Sequence, residues 1–364
     1  MKRVNNYFYR IVDEIAFSCD LKRRVEKNNR RGSRFEHAAL LKEEKALIKK
    51  VWGEWGGNYD VFGFYKLFCG SFNPYYVPND YYDWAEHVLN LRWSAYFLQH
   101  KCNLKYFIPK QNRASVILQK IDGHFVSEDN KEISKEEAKI ILLSTPVFLA
   151  KVARGTGGGK GVRKIDWDKI KDKEALVEEL LKPIDMEFEA VLQQSQFMSR
   201  FNPDSVNTMR LVTLNINGRC SVLSTFLRMG AKGSFVDNLS GGNGILVGVA
   251  QDGSLYDFGI TKKYEKQSIS PGGVRFNGIK IPGFDKIKET VMSFHKSIPY
   301  ANLIGWDIAL DKDNNVIVIE INLDSAEIEA HQVFNGPVFG DRLDEVKDYI
   351  VARTPYLKHQ MMLY

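Results

Sequence analysis

The chain has 364 residues, of which 51 are Lys or Arg and 45 are Asp or Glu, so its formal net charge is +6. A hydrophobic fraction of 44% and a charged fraction of 26% exclude a disordered, collagen-like or disulfide-scaffold chain. The best apolar stretch, residues 140–150, is interrupted by Pro146 and is shorter than the roughly 18 residues that a membrane span needs. We therefore expect two or three structural units and no membrane span.

The cysteines and the amino terminus bear on location. Cys19, Cys69, Cys102 and Cys220 are widely spaced, which favours buried free thiols over a disulfide framework or a zinc site. The residues that follow Met1 do not form the apolar core of a secretory signal. These features predict a cytoplasmic location.

Positive charge is concentrated at the amino terminus. Residues 1–50 contain 14 Lys and Arg against 7 Asp and Glu, a balance of +7, so the rest of the chain carries −1. A solvated helix face is the simplest interpretation of this basic front. The alternatives are a nucleic-acid or membrane-surface arm, and contact with an anionic polymer or a glycosyltransferase. We expect no nucleic-acid partner, and an electrostatic contact through the front would weaken steeply with salt.

The pattern of apolar residues divides the chain into two parts. Helical spacing predicts helices over 35–51 and 81–100, and the aromatic-rich segment between them is expected to fill a helical core. From about residue 105 the chain changes to short β-branched runs. Three hairpins are predicted: 114–126 around Asp122-Gly123, 211–227 around Asn217-Gly218, and 308–321. Antiparallel hairpins alternating with helices predict an α+β body, not a doubly wound parallel sheet.

A glycine-rich loop follows the apolar run that ends near Lys151. Glycine occupies five of the seven positions 155–161, so backbone N–H groups can turn inward as a nest for phosphate oxygens. Lys151 and Lys160 add positive charge on either side. The loop fits neither the Walker A pattern nor G-x-G-x-x-G. A strand is predicted over 162–165, giving strand–loop–strand, the arrangement with which protein kinases and ATP-grasp enzymes cover ATP.

The kinase interpretation has one further match, Asp257-Phe258-Gly259. The H-R-D and A-P-E sequences that give D-F-G its meaning in kinases do not accompany it. We interpret the match as a coincidence.

The third predicted hairpin carries oxygen ligands suited to a metal ion. Asp307 begins one strand among apolar residues, and Glu320 lies near the end of the next. Asn322 shares the face of Glu320, two residues further on. A carboxylate inside so apolar a strand is costly unless it is paired or coordinated. The sequence therefore favours an Mg²⁺ site here over a polar outer face.

In this order, the glycine-rich loop and the Asp…Glu-x-Asn hairpin resemble the ATP-grasp superfamily over roughly residues 90–345. Lys151 with the loop resembles the family's strand lysine and phosphate-covering loop. Asn207-Thr-Met-Arg210, Arg228 and Asn238 resemble a series found in ribosomal-protein glutamate ligases. The branch that the chain most resembles is the sugar-transfer-associated ATP-grasp proteins, which share Asn-Thr-x-Arg and a tail like 331–341. The chain departs from many members in following Asn322 with Leu-Asp-Ser instead of Pro-Gly.

The resemblance implies an α+β ATP-grasp fold, two subdomains that clasp ATP between antiparallel sheets, joined to a helical N-terminal region. The expected units are a basic helical region (1–100), an N-lid subdomain with the glycine-rich loop (101–192) and a C-terminal subdomain with the metal site (193–364). The expected nucleotide contacts come from the strand lysine, the glycine-rich loop, the hinge and two later residues of the series named above. These contacts are Lys151, Gly157, Gly158, Gly159, Lys160, Gly161, Gln193, Gln194, Arg228 and Asn238. At the hinge the family commonly has Glu.

The resemblance also implies a reaction: carboxylate–amine ligation with ATP and Mg²⁺. Lys151 would hold the α/β-phosphates, Lys160 would close over β/γ, and Arg210 would face the acyl phosphate, with Asp307, Glu320 and Asn322 holding the metal. The expected substrates are a small-molecule or glycan-linked carboxylate and an amine, in glycan or surface-polysaccharide modification. A kinase that phosphorylates a hydroxyl and a non-catalytic nucleotide-binding protein remain alternatives. A further ATP contact is expected from Lys101, Lys105, Lys110 or Arg92.

Overall fold

The computed structural model describes residues 35–155, 161–233, 244–324 and 327–357, together with 18–19, 22–23, 25–27 and 30. Its α-helices are α1 (Lys42–Trp52), α2 (Tyr59–Cys69), α3 (Asn79–Leu89), α4 (Arg92–Leu98), α5 (Lys135–Ser144), α6 (Lys173–Leu180), α7 (Gln196–Ser199), α8 (Phe284–Lys296), α9 (Ile328–Asn335) and α10 (Leu343–Leu357). No helix among these residues combines the length and apolarity needed to cross a membrane.

The strands form two antiparallel sheets. The six-stranded sheet has the order β3-β2-β1-β6-β4-β5 and the seven-stranded sheet the order β11-β10-β9-β8-β7-β12-β13. The strands are β1 (Val116–Ile121), β2 (His124–Val126), β3 (Glu132–Ile133), β4 (Val147–Val152), β5 (Val162–Asp166), β6 (Met186–Ala190), β7 (Thr208–Ile216), β8 (Arg219–Met229), β9 (Ile245–Val249), β10 (Leu255–Ile260), β11 (Lys266–Gln267), β12 (Leu303–Leu310) and β13 (Val316–Asn322). The predicted α+β class with antiparallel sheets is confirmed; the proposed domain boundaries stay predictions.

The three predicted hairpins are present. The strands β1–β2, β7–β8 and β12–β13 pair antiparallel. The turn residues Asp122 and Gly123 have φ of 49° and 81°, and Asn217 and Gly218 have 52° and 79°. Asn and Asp tolerate this left-handed region and Gly adopts it freely, so two-residue turns form there.

Two helix predictions were wrong in their bounds. The predicted helix 81–100 is broken at Asn90, whose buried side chain donates to the carbonyls of Leu303 and Leu323. Its Oδ1 also accepts the N–H groups of 302 and 303, so this residue serves β12 instead of a continuous helix. The predicted helix 35–51 begins only at Lys42. The Ala38 N–H already donates to the Gly63 carbonyl on α2, and residues 36–41 lie outside the helix.

The N-terminal helices belong to the main core. Trp52, Phe62 and Tyr65 pack in one cluster with sheet residues such as Val212 and Leu303, so the aromatic segment is packing, as predicted. Helices α9 and α10 complete that layer, and α8 covers the opposite face of the seven-stranded sheet. The six-stranded sheet packs on α5 and α6. One face of the larger sheet is therefore covered by N-terminal helices, except where the polar residues described below lie.

A buried histidine on α8 makes stability depend on pH. Nε2 of His295 lies 3.1 Å from the Ala301 carbonyl and so carries the proton, while Nδ1 accepts from the Thr213 hydroxyl at 2.6 Å. The same hydroxyl accepts from Trp306 Nε1. Burial lowers the pKa of His295 from 6.5 to about 4. The neutral, buried imidazole of His295 therefore contributes fully to the stability of the fold above pH 6.5, and this contribution is lost as the pH falls towards 4.

We expect urea unfolding to report this loss. Between pH 6.5 and 5 the free energy of unfolding should fall by about 1 kcal/mol per pH unit from this group. His295→Gln should remove that slope, whereas His124→Gln, at an exposed position, should keep it. Equal slopes in the wild type and His295→Gln would contradict the assignment.

Candidate active site

Charged side chains gather on one face of the seven-stranded sheet. Asp307 on β12 lies opposite Arg210 on β7 and opposite Glu320 on β13. Arg228 on β8 lies opposite Thr208, two residues before Arg210. Since directly opposed residues share a face and side chains alternate along a strand, all four point to the same side. Strand register thus brings together residues that are far apart in the sequence.

Asp307 is held by two guanidinium groups. Its Oδ1 lies 2.5 Å from Arg210 Nε and its Oδ2 lies 2.7 Å from an Arg228 nitrogen. Burial alone would raise the pKa of Asp307, but the Arg210 and Arg228 charges outweigh burial and lower it below its ordinary value. The carboxylate is therefore ionised at neutral pH and fixes both arginines. Thr208 also orients Arg228, accepting from its Nε at 3.3 Å.

Glu320 and Asn322 lie on the exposed side of this cluster. The Glu320 side chain is 29% exposed, and its Oε1 lies 3.2 Å from Lys101 Nζ. The buried Asn322 Nδ2 has no hydrogen-bond partner among the residues that the structure describes. Turning the amide would place its oxygen there, so Glu320 and Asn322 fit as ligands of a hard cation such as Mg²⁺. Asp307 as a third ligand stays a prediction, because the arginines already occupy both of its oxygens.

The strand lysine belongs to a buried polar row in the six-stranded sheet. Lys151 on β4 lies opposite Glu187 on β6, and Glu187 lies opposite Gln119 on β1. Lys151 forms an ion pair with Glu189, two residues further along β6. Burial alone would lower the pKa of Lys151, but Glu189 raises it above its ordinary value. The lysine is therefore a fixed positive charge.

Glu187 and Glu189 are functional candidates that sequence reasoning missed. The Met-Glu-Phe-Glu-Ala segment alternates like a strand with one solvated face, yet both glutamates are only 4% exposed. The available signal was their spacing of two residues on a strand near Lys151, which places both carboxylates on one face.

The two hinge glutamines differ in environment. Gln193 is exposed. Gln194 donates to the Ser205 carbonyl at 2.5 Å and accepts from Asn207 Nδ2 at 3.0 Å. Asn207 thus ties the segment after β6 to the start of β7, which gives a structural role to the first residue of Asn-Thr-x-Arg. An adenine contact by either glutamine stays a prediction.

The glycine-rich loop has the predicted setting. Strands β4 and β5 pair antiparallel around it, and the Val152 N–H donates to the Gly161 carbonyl, so the strand–loop–strand prediction is confirmed. Gly157, Gly158, Gly159 and Lys160, like Asn238, lie outside the described residues. Asp257-Phe258-Gly259 forms part of strand β10.

The structure gives the proposed upstream ATP contacts different environments. Lys101 reaches Glu320, as described above. Lys110 pairs with Glu128 and its side chain is 68% exposed, while burial lowers the pKa of Lys105. The Arg92 side chain is outside the described part. Of the three lysines, Lys101 is the one that contacts a residue of the site, Glu320.

Comparison with solved structures gives distant similarity. The ATP-grasp ligase PsnB bound to a minimal precursor is 14% identical with a TM-score of 0.40, covering 72% of this chain and 64% of that one. For D-alanyl-alanine synthetase A from Vibrio cholerae the identity is 12%, the TM-score 0.40, and the coverage 70% and 66%. An L-amino acid ligase from Bacillus licheniformis is 15% identical with a TM-score of 0.37, covering 68% of this chain and 48% of that one. The chain thus spans less than two thirds of the length of these proteins.

Sequence comparisons are more specific. No curated protein matches the chain. The family model described as sugar-transfer associated ATP-grasp matches residues 113–348. That range contains both sheets and all of the polar side chains of the cluster and row except Lys101. The chain belongs to the sugar-transfer associated ATP-grasp family.

Proposed function

We propose that this protein is an Mg²⁺-ATP-dependent ligase that joins a carboxylate to an amine through an acyl phosphate. The observation that carries the proposal is the pair of arginines fixed on Asp307 beside Glu320 and Asn322. Two guanidinium groups held in place by a buried carboxylate suit a substrate that develops phosphate charge. Family membership supports ATP as the phosphoryl donor.

The proposed reaction has two steps. A substrate carboxylate oxygen attacks the γ-phosphorus of ATP, the bond to the β-phosphate oxygen breaks, and ADP leaves. The amine then attacks the acyl carbon, phosphate departs, and the amine nitrogen loses a proton. The chain's work is to position the reactants and neutralise their charge.

The residues divide that work. Lys151 and Lys101 supply ammonium groups from the six-stranded sheet side, and Arg210 and Arg228 face the transferring group. A bound Mg²⁺, held by Glu320 and Asn322, would supply further positive charge to the phosphates. We propose Asp307 chiefly as the group that orients the two arginines, with metal binding as its second role.

The family's association with sugar transfer supports a proposal for the substrate class. We propose a glycan-linked or sugar carboxylate and an amine donor, acting in the cytoplasm. The basic front, most of which lies outside the described residues, is a proposed contact for a glycosyltransferase or an anionic polymer. Loss of partner binding with rising salt would support an electrostatic contact.

Nucleotide binding is the first test. Mg²⁺-ATP at about 100 times its Kd should stabilise the wild type by about 2.7 kcal/mol and raise Tm by several degrees. Glu320→Ala should abolish that rise, while Glu136→Ala, at an exposed site on α5, should preserve it. A full rise in Glu320→Ala would contradict the metal assignment, and no rise in the wild type would favour a non-catalytic protein.

Product analysis is the second test. Sugar uronic acids and amino acids should be screened for ADP release, with phosphate and amide measured in the same reaction. A ligase yields ADP, free phosphate and amide in equal amounts. A phosphorylated acceptor without free phosphate would instead establish a kinase.

A further inference from the structure

Three adjacent strands of the six-stranded sheet carry a polar row that solvent does not reach. Gln119 is fully buried, Glu187 and Glu189 are each 4% exposed, and Lys151 is 5% exposed. Gln119 Nε2 donates to Glu187 Oε2 at 2.5 Å and to the Cys102 carbonyl at 3.1 Å. Lys151 pairs with Glu189, and Glu189 is a hydrogen-bonding neighbour of Glu187. The four side chains form one connected chain.

The row contains two carboxyl groups for one ammonium group. Burial of a net negative charge is unfavourable, and two adjacent carboxylates repel, so one of them retains a proton unless a further cation compensates. Glu189 is the one that pairs directly with Lys151. Glu187 instead hydrogen-bonds to Gln119 and to Glu189, so it is the one that holds the proton.

Other titratable groups face this row from the elements packed against it. From the 3₁₀ turn at 101–106 they are Cys102 and Lys105, and from β13 it is Glu320. Lys105 is a nearby cation that acts on Glu187 at a distance, and its Nζ makes no hydrogen bond to the described residues. Burial raises the pKa of the Cys102 thiol, so Cys102 adds no charge to the row. Burial lowers the pKa of Lys105, and this lysine acts on Glu187 only at a distance, whereas Lys151 is in direct contact with Glu189.

We propose that Glu187 is a positioning residue for Lys151: it keeps its proton, hydrogen-bonds to Glu189, and so leaves one carboxylate to hold one ammonium at the nucleotide. This inference rests on the proposed function, because Lys151 is placed for catalysis only if ATP binds beside it. Ionisation of Glu187 adds a second negative charge to the row, which competes with the phosphates for Lys151.

The consequence is an alkaline limit on nucleotide binding. Burial first, and then the Glu189 charge, raise the pKa of Glu187 from 4.5 to about 8. Binding that requires the protonated form should weaken about tenfold by pH 9 and about thirtyfold by pH 9.5. The phosphates of ATP are already fully ionised in this range, so they add no such step.

Calorimetric titration of the full chain with Mg²⁺ and a non-hydrolysable ATP analogue, from pH 7 to 9.5, tests the proposal. The wild type should show the alkaline loss. Glu187→Gln, which keeps the shape and cannot ionise, should bind at pH 7 within about threefold of the wild type and lose little affinity by pH 9.5. Glu136→Gln, on exposed α5, should behave like the wild type.

The outcomes separate the two proposals. No analogue binding by the wild type at pH 7 overturns the proposed function and this inference with it. Binding that stays constant to pH 9.5 overturns the inference alone. A loss that persists in Glu187→Gln assigns the titration to another group, such as Lys105, and also overturns it.

A second measurement does not depend on the variant's folding. Infrared difference spectroscopy of the wild type between pH 7 and 9.5 should show a protonated carboxyl band that disappears with a midpoint near pH 8. Absence of that band at pH 7 would overturn the proposal. If Glu187→Gln folds, the same band should be missing from it.

Discussion

Replacing Asp307 with alanine is expected to destabilise the protein by about 3–5 kcal/mol, because it leaves two buried guanidinium groups without their shared partner. The Asp307 and Arg210 side chains are each 5% exposed and that of Arg228 is 11% exposed. Solvent therefore compensates little of the lost interaction. Urea unfolding at pH 7 measures the effect.

The control is another aspartate paired with a cation. Asp313 pairs with Lys312 at 3.6 Å, but its side chain is 64% exposed. Asp313→Ala should change stability by less than about 0.5 kcal/mol, because exposed pairs contribute little. Equal effects of the two substitutions would show that the arginine cluster does not contribute to the stability of the sheet.

Replacing Lys151 with methionine should reduce kcat/KM for ATP by about 100- to 1000-fold, the effect typical of removing one fixed charge from a transition state. Its ammonium is buried and fixed by Glu189, so no mobile surface lysine can take its place. ADP release measures the rate, and calorimetric titration shows whether the loss lies in binding.

Lys164→Met is the matched control. Lys164 lies on the neighbouring strand β5, opposite Leu149, and is exposed. It should retain wild-type kinetics. Unfolding of both variants without nucleotide must be measured as well, since Lys151→Met leaves the buried Glu189 without its cation. Wild-type kcat/KM in a folded Lys151→Met protein would remove Lys151 from the proposed mechanism.

Local features were predictable because a few neighbouring residues encode them. Asp122-Gly123 and Asn217-Gly218 adopt the left-handed backbone of tight turns. The apolar run 316–319 forms the first part of strand β13, and Glu320 follows it within the same strand. The glycine-rich segment lies between paired strands. Helix bounds failed where a distant partner intervened, as at Asn90, which serves β12.

The motifs indicated the candidate residues of the site but not the contacts between them. Their functional roles stay predictions; the candidates that the structure describes in the two sheets are Lys151, Arg210, Arg228, Asp307, Glu320 and Asn322. From residue order alone, Asp307 could not be paired with the two arginines in preference to a metal. Nor did it distinguish Gln194, which is engaged with Asn207, from the exposed Gln193.

The net charge of +6 illustrates the difference between what the sequence determines and what the tertiary structure decides. By itself the sequence determines that charge, its concentration in residues 1–50, and the turns and hairpins of an α+β body. Only the tertiary structure decides that Arg210 meets Asp307 across 97 positions, and that Glu187 and Glu189 are buried beside Lys151. The physical reason is range. Backbone preferences act over a few residues, whereas ion pairing and burial depend on strand register and on which element covers each face.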